Sequence, residues 1–469
     1  MTQFILAIII SIAVLIFFIV KLNVHPVISL FVAGMLAGTI LGNGPVSTIT
    51  TIANGFGGTL TSIGMTIIFG SIIACSIRDS GAAKSMVNFF ISLFRGKNLE
   101  LATGLAAFIM SIPVFGDVTM VLISPLCAII SKRQHKAMGL MASMTILPLN
   151  LTHSMVPPTP GILAVALLLE ADLGMVILWG IVCSLIAYLG TWVLMRGWAS
   201  KDFYPQKPEY IEGVEEAKSN DYRDLLIKED GLPNVVAAMS PILLPVILIA
   251  IASFADMTMD AENSVRIFLD TLGNRNIALF LGVCCGWLLA LSHKDKALAS
   301  YNQSSGKKET SLSKMLFNGW VGEALEVALA PLIITGFGGG FAQIIKEAPA
   351  AGQLGDVIAA IGFPGLLVPF VIGAAMECAV GSRTTAGMTA AGLCLPMLGS
   401  LGISATACAV MIGAGTMIVS HVNDSGWWVS MSMFNMDTTR TFKYNTLVGG
   451  IAGVIAGIVG GILIVVGIM

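Results

Sequence analysis

Hydrophobic positions in this chain run in long uncharged stretches broken by short charged ones. Pro26 to Ile77, Ala137 to Leu169, Thr384 to Asn423 and Asn445 to Met469 contain no Asp, Glu, Lys or Arg, whereas one membrane-spanning helix needs only about 20 apolar residues. Several spans must follow one another. The alternating apolar and polar segments of about 10 residues that mark an outer-membrane barrel are missing, so backbone groups in lipid must be satisfied within helices. The pattern predicts an all-α polytopic membrane protein of about 11–14 membrane segments. Met1-Thr2-Gln3 precedes an apolar run without a basic region or a small-residue cleavage site, which predicts a retained first helix over 1–22 rather than a removed signal.

The pattern also repeats. Asn54-Gly55-Phe56-Gly57-Gly58 recurs as Asn318-Gly319-Trp320-Val321-Gly322, Ile77-Arg78-Asp79 as Ile345-Lys346-Glu347, and Thr152-His153 as Ser420-His421. Three matches in order at nearly constant spacing point to a duplication, and secondary transporters are commonly built from two such repeats in inverted topology around a midplane site. The expected organisation is a first helix (1–22), a first repeat (23–200), a cytoplasmic linker (201–233), a connecting span with an external loop (234–275) and a second repeat (276–469).

Composition and charge sharpen this picture. Only 11% of the 469 residues are charged and 56% are hydrophobic, against about 25% charged in soluble domains. The segment from Lys201 to Asp230 carries five Lys or Arg, and Lys294 to Lys314 carries five Lys, while Asp256 to Arg275 carries two Arg. Counting basic residues alone, the first two are cytoplasmic and the third external. The net charge of −2 offers no basic surface to nucleic acid. Eight cysteines form no C-x-x-C pair and no zinc-type cluster, so they read as small packing residues, and no metal or cofactor is expected. Neither H-E-x-x-H nor G-x-S-x-G occurs, which argues against an enzyme.

Polar residues within the apolar runs mark the chemistry. In the first half these are Ile112 to Asp117 and Thr152 to Gly161; in the second, Glu377 to Thr385 and Ser420 to Trp428. Pro157, Pro158 and Pro160 beside Gly161 cannot continue a helix, and irregular backbone at membrane depth must be buried in protein or line a cavity. Such breaks expose backbone N–H groups at half-helix N-termini, which favour a carboxylate. Ser382, Thr384, Thr385, Ser420, Asn423 and Ser425, with Thr159, then offer hydrogen bonds to hydroxyls, a combination suited to a polyhydroxy acid. Arg383 is either a carboxylate clamp or a charge neutralised by Glu377. Asp117, isolated from other charges, is a coupling-proton carrier, since burial favours a neutral carboxyl, or a helix cap. Glu377 and Asp424 are the other proton-coupling candidates, although Asp424 between Asn423 and Ser425 also fits an Asx-type turn. His153 and His421 are proton shuttles or structural donors. Glu323 and Glu326 form a second protonation site or a cytoplasm-facing edge.

At these residues the chain resembles the GntP family of gluconate:proton symporters, within the wider ion transporter superfamily. Ser420-His421-Val422-Asn423-Asp424-Ser425-Gly426-Trp427 is close to the family's S-H-V-N-D-S-G-F, Thr152-His153 with Pro157 to Gly161 is close to H-x-x-x-P-P-H-P-G, and Phe115-Gly116-Asp117 is like F-F-D. The resemblance implies proton-driven uptake of a small organic acid across the bacterial inner membrane, re-entrant hairpins around the site, a homodimer and elevator-like motion. The family's R-x-A-x-G-S-A-T-V-A stands here as Glu377 to Ala386, with an acid at the arginine position and Arg383 at an alanine position. That departure leaves D-serine or glycerate open beside gluconate, and a cation/proton antiporter of the same superfamily as a further alternative.

Overall fold

The computed structural model describes residues 2–22, 24–112, 116–211, 222–227, 229–348, 364–421 and 424–469. Asp117 and Ser425 are placed within helices, but their side chains, like Asn423 as a whole, lie outside the described residues. All regular structure among the described residues is helical. Among the described residues, eight helices are long and apolar enough to cross a membrane, and five shorter apolar helices accompany them.

The first half contains α1 (Thr2–Ile16), α2 (Pro26–Ile40), α3 (Pro45–Asp79), α4 (Ala82–Leu93), α5 (Leu99–Ser111), α6 (Gly116–Arg133), α7 (Met138–Met155), α8 (Pro160–Leu168) and α9 (Leu173–Ala199). Then follow α10 (Val235–Thr258), α11 (Ser264–Gly273), α12 (Arg275–Ser292) and α13 (Lys294–Ser305). The remainder comprises α14 (Leu312–Lys346) and α19 (Thr438–Val465), each with an inserted wider turn, with α15 (Val368–Val380), α16 (Arg383–Cys394), α17 (Ala405–Gly415) and α18 (Ser425–Met433) between them. The charged segments Asp256 to Arg275 and Lys294 to Lys314 thus contain helices. Asn263 caps α11, and α13 runs without Gly or Pro until Gly306 ends it in the left-handed region at φ 67°.

Basic-rich segments gather at one end of the molecule. There Arg133 Nη1 donates to Asp224 O at 2.8 Å, Lys84 and Lys296 both meet Glu229, and Asn435 donates to Pro205 O. The far end holds the Asp256–Arg266 pair and the Ser253–Asp172 hydrogen bond.

Corresponding long helices of the two halves run antiparallel. Near the end of α3, Arg78 pairs with Glu323 at the start of α14 at 2.7 Å, while near the start of α3 Thr51 donates to Glu347 just past α14 at 3.0 Å. Both helices are 35 residues long. Close approach is possible because a Cβ on Gly55 would lie 2.6 Å from Gly339 O, so only glycine fits. In the same way Trp198 at the end of α9 stacks on Tyr444 near the start of α19, and Gly190 touches Ile455 farther along.

The short helices are placed by polar stitches suited to a waterless interior. Thr103 and Ser111 of α5 meet Thr145 and Thr152 of α7 at 2.9 and 2.6 Å, so these two run side by side from the basic end inward. Gly373 of α15 lies against Ile412 of α17, and His421 Nε2 lies 3.0 Å from Cys378 O, so this pair runs inward from the far end. The helix pair α5 and α6 thus enters from the basic end, and α15 and α16 from the far end. Gly116 at the start of α6 and Gly381 and Ser382 between α15 and α16 line the same cavity.

Candidate transport site

The site is built from interrupted helices. α15 stops at Val380 because Gly381 takes the left-handed conformation (φ 67°) and returns its N–H to Glu377 O at 2.9 Å. Ser382 then caps α16, leaving a two-residue turn between helices. In the other half, α7 ends at Met155, and α8 begins at Pro160, a residue that needs no N–H partner in a first turn. Thr159 closes that gap by donating Oγ1 to Val156 O at 2.8 Å and Thr152 O at 3.1 Å. α18 starts after Asp424, whose Oδ1 accepts from Gly426 N at 2.8 Å.

Around these ends lies a cavity of about 120 Å³ lined by Gly116, Met120, Leu149, Asn150, His153, Gly381, Ser382, Arg383, Thr384, Asp424 and Gly426. The first turns of α6, α16 and α18 reach its wall, and α8 starts next to it, with Gly161 packed on the Thr384 backbone. Three helix N-termini therefore line the cavity, and a fourth packs beside it. Each favours nearby negative charge by about 0.3–1 kcal/mol.

One guanidinium faces this cavity. Arg383 Nη1 lies 3.2 Å from Asp424 Oδ2, which also accepts from Ser420 Oγ at 2.6 Å. Asp424 is thus a helix cap and an ion-pair partner together, and Arg383 is neutralised by Asp424 rather than by Glu377. Glu377 is fully buried about one helical turn before Gly381, and its carboxyl oxygens have no hydrogen-bond partner among the described residues.

Of the residues singled out from sequence, His153, Ser382, Arg383, Thr384 and Asp424 line the cavity. Thr385, Thr159, Ser420 and His421 do not, and each is used by the scaffold. Thr385 Oγ1 donates to Ser382 Oγ at 3.2 Å, and His421 ties its break to the end of α15. Glu323 is held by Arg78, beside Asp79, so it belongs to an ion cluster at the basic end. Sequence reasoning missed Asn150. Its Nδ2 donates to Asn445 Oδ1 at 2.9 Å, and Asn445 donates in turn to Ser430 Oγ at 2.9 Å; an amide inside the uncharged run from Ala137 to Leu169 was the available signal.

A match to the family model for GntP family permeases extends over residues 3–466. The chain belongs to that family. This permease is 27% identical over 430 residues to a gluconate permease of Pseudomonas aeruginosa, covering 92% of this chain and 90% of the relative. It is 29% identical over 450 residues to a D-serine transporter of Escherichia coli K12 (95% and 94% covered), and 26% identical over 434 residues to the L-idonate transporter of the Gnt-II system of the same strain (92% of each). Among solved structures, the YdaH transporter of Alcanivorax borkumensis superposes with a TM-score of 0.61 at 16% identity, covering 94% of this chain and 99% of that one. Neisseria gonorrhoeae MtrF gives 0.57 at 11%, covering 92% and 94%. Both share the fold. The permease is a multi-pass inner-membrane transporter and not an enzyme.

Proposed function

We propose that this permease imports a small hydroxycarboxylate of the sugar-acid type, with gluconate as the model substrate, in symport with protons. The observation that carries this reading is the convergence of three half-helix N-termini on a cavity whose described lining holds one guanidinium, Arg383. In this reading the substrate carboxylate is held by Arg383 and the free N–H groups, and Ser382, Thr384 and Asn150 bind its hydroxyls, joined by Asn423 and Ser425. Asp117, Glu377 and Asp424 are the acids available to carry the coupling proton. Antiparallel packing of α3 on α14 and of α9 on α19 supports an inverted repeat, with the basic end in the cytoplasm. A homodimer with elevator-like motion is the assembly expected from the wider superfamily.

Uptake into proteoliposomes tests the coupling: accumulation of labelled gluconate should follow an inward proton gradient and need no sodium. Accumulation that requires sodium and ignores an imposed pH difference would remove the proton assignment. A second reading has its own support. The cavity is small beside the roughly 300–1,000 Å³ of drug-sized sites, and Asp424 sets a carboxylate next to Arg383, a pairing that suits a three-carbon acid with an ammonium group, such as D-serine. A thermal-shift panel of gluconate, glucuronate, fructuronate, glycerate and D-serine separates the two, because only a ligand bound by the folded state raises stability.

A further inference from the structure

A second polar cavity, of about 260 Å³, lies toward the far end, between the α3–α14 pair and the α8–α16 pair. Its polar lining comes from Asn54, Thr59, Ser62, Gln343, Lys346 and Glu170. It adjoins the central site: Ala164 and Met388, which line it, stand about one helical turn beyond Gly161 and Thr384, whose contact borders the Arg383 cavity.

Three positions on its wall, Lys346, Asn54 and Gly58, are exposed to the cavity. Lys346 makes no ion pair among the described residues, and neighbouring Glu347 accepts from Gln343 at 2.8 Å and Thr51 at 3.0 Å. Its repeat counterpart Arg78 is instead held by Asp79 and Glu323. The Asn54 amide is likewise without a hydrogen bond to any described residue, although it projects from a membrane helix. Gly58 is the third. A Cβ there would meet nothing within 4 Å, whereas Gly55, less than a turn earlier, is fixed by contact with Gly339. At Gly58 the missing side chain therefore adds to the open space of the cavity.

We propose that this cavity is a second substrate site, loaded from outside the cell, where a hydroxycarboxylate anion pairs with Lys346 and hydrogen-bonds Asn54 and Ser62 before moving along α8 and α16 to Arg383. The inference rests on the hydroxycarboxylate reading and the orientation given above.

A Ser62→Cys variant in whole cells tests it, with labelling by a membrane-impermeant maleimide compared with the parent chain to subtract native cysteines. The new thiol should label from outside, and gluconate, glycerate or D-serine should slow that labelling. Adding Lys346→Gln should leave labelling intact but abolish protection, and alone should raise the half-saturation concentration for uptake about tenfold, the loss of one charge-assisted hydrogen bond. Gly58→Leu, whose Cβ meets nothing within 4 Å, should raise it likewise at normal protein level. No labelling from outside, no protection by any of the three acids, or protection that survives Lys346→Gln overturns the proposal. Uptake of the same acids by the parent chain is read separately: its absence overturns the substrate reading, while protection of Ser62→Cys still decides whether this cavity binds an anion.

Discussion

Arg383 and Asp424 form an ion pair at 3.2 Å in which both side chains are less than one-tenth exposed. The pair ties the start of α16 to the start of α18, so it spans the two breaks of the second half. Any carboxylate that uses the guanidinium must share it with Asp424 or displace it.

Removing one partner of this pair leaves the other charged and buried, which costs about 3–5 kcal/mol. Arg383→Gln and Asp424→Asn should therefore each lower the melting temperature, and the double variant should recover much of the loss. Gluconate binding should stay absent in both variants that lack Arg383. Full binding by Arg383→Gln would return the carboxylate to the helix N-termini alone. Because stability and affinity are measured across the same four proteins, coupling between the two side chains is separated from ligand contact.

Ser382→Ala and Asn150→Ala remove polar groups from the cavity wall. Each should weaken substrate binding by about 1–3 kcal/mol, or roughly 5- to 150-fold. Asn445→Ala, which takes away the acceptor of Asn150 without reaching the cavity, should weaken binding less and destabilise the protein more. Equal affinities for all three variants and the parent would move the site elsewhere.

Glycines on α3 should divide by their contacts. Gly55→Ala places a methyl group against the Gly339 carbonyl, where the backbone cannot yield, and should cost about 1–3 kcal/mol. Gly57→Ala meets nothing within 4 Å and should be neutral or stabilising by up to about 1 kcal/mol. Melting of the two variants in one detergent compares them directly.

Asp202, beyond the end of α9, gives a pH dependence of known sign. Burial acts to raise its carboxyl, but hydrogen bonds from Tyr444 and Arg440 and the charges of Arg440 and Lys443 outweigh it and hold the group below its ordinary value of 3.8. A depressed carboxyl adds stability that is complete above the unfolded value and disappears as pH falls through the lower folded one. The melting-temperature difference between parent and Asp202→Asn should be constant from neutral pH down to mildly acidic pH and shrink only below about pH 4. A difference that grows on acidification would reverse the assignment.

The helical class, the many membrane segments and the proline break after α7 were legible in the sequence, because each rests on local pattern: uncharged runs too long for one span and a proline cluster that forbids a helix. Pairings between breaks were not legible. Arg383 stands six residues from Glu377 and 41 from Asp424, yet the turn at Gly381 and Ser382 reverses the chain and delivers the guanidinium to the start of α18. Asn150 looked like one more residue of an apolar run until tertiary packing set it beside Asn445 and opened its other side to the cavity. Likewise Thr159, Thr385 and His421 have side chains fit for a ligand, but folding commits their hydrogen bonds to closing the breaks, since free backbone groups in a membrane protein's interior must find partners there. Sequence determined which residues cannot stay in a helix, and only the tertiary structure decided which of them face the substrate and which satisfy the chain itself.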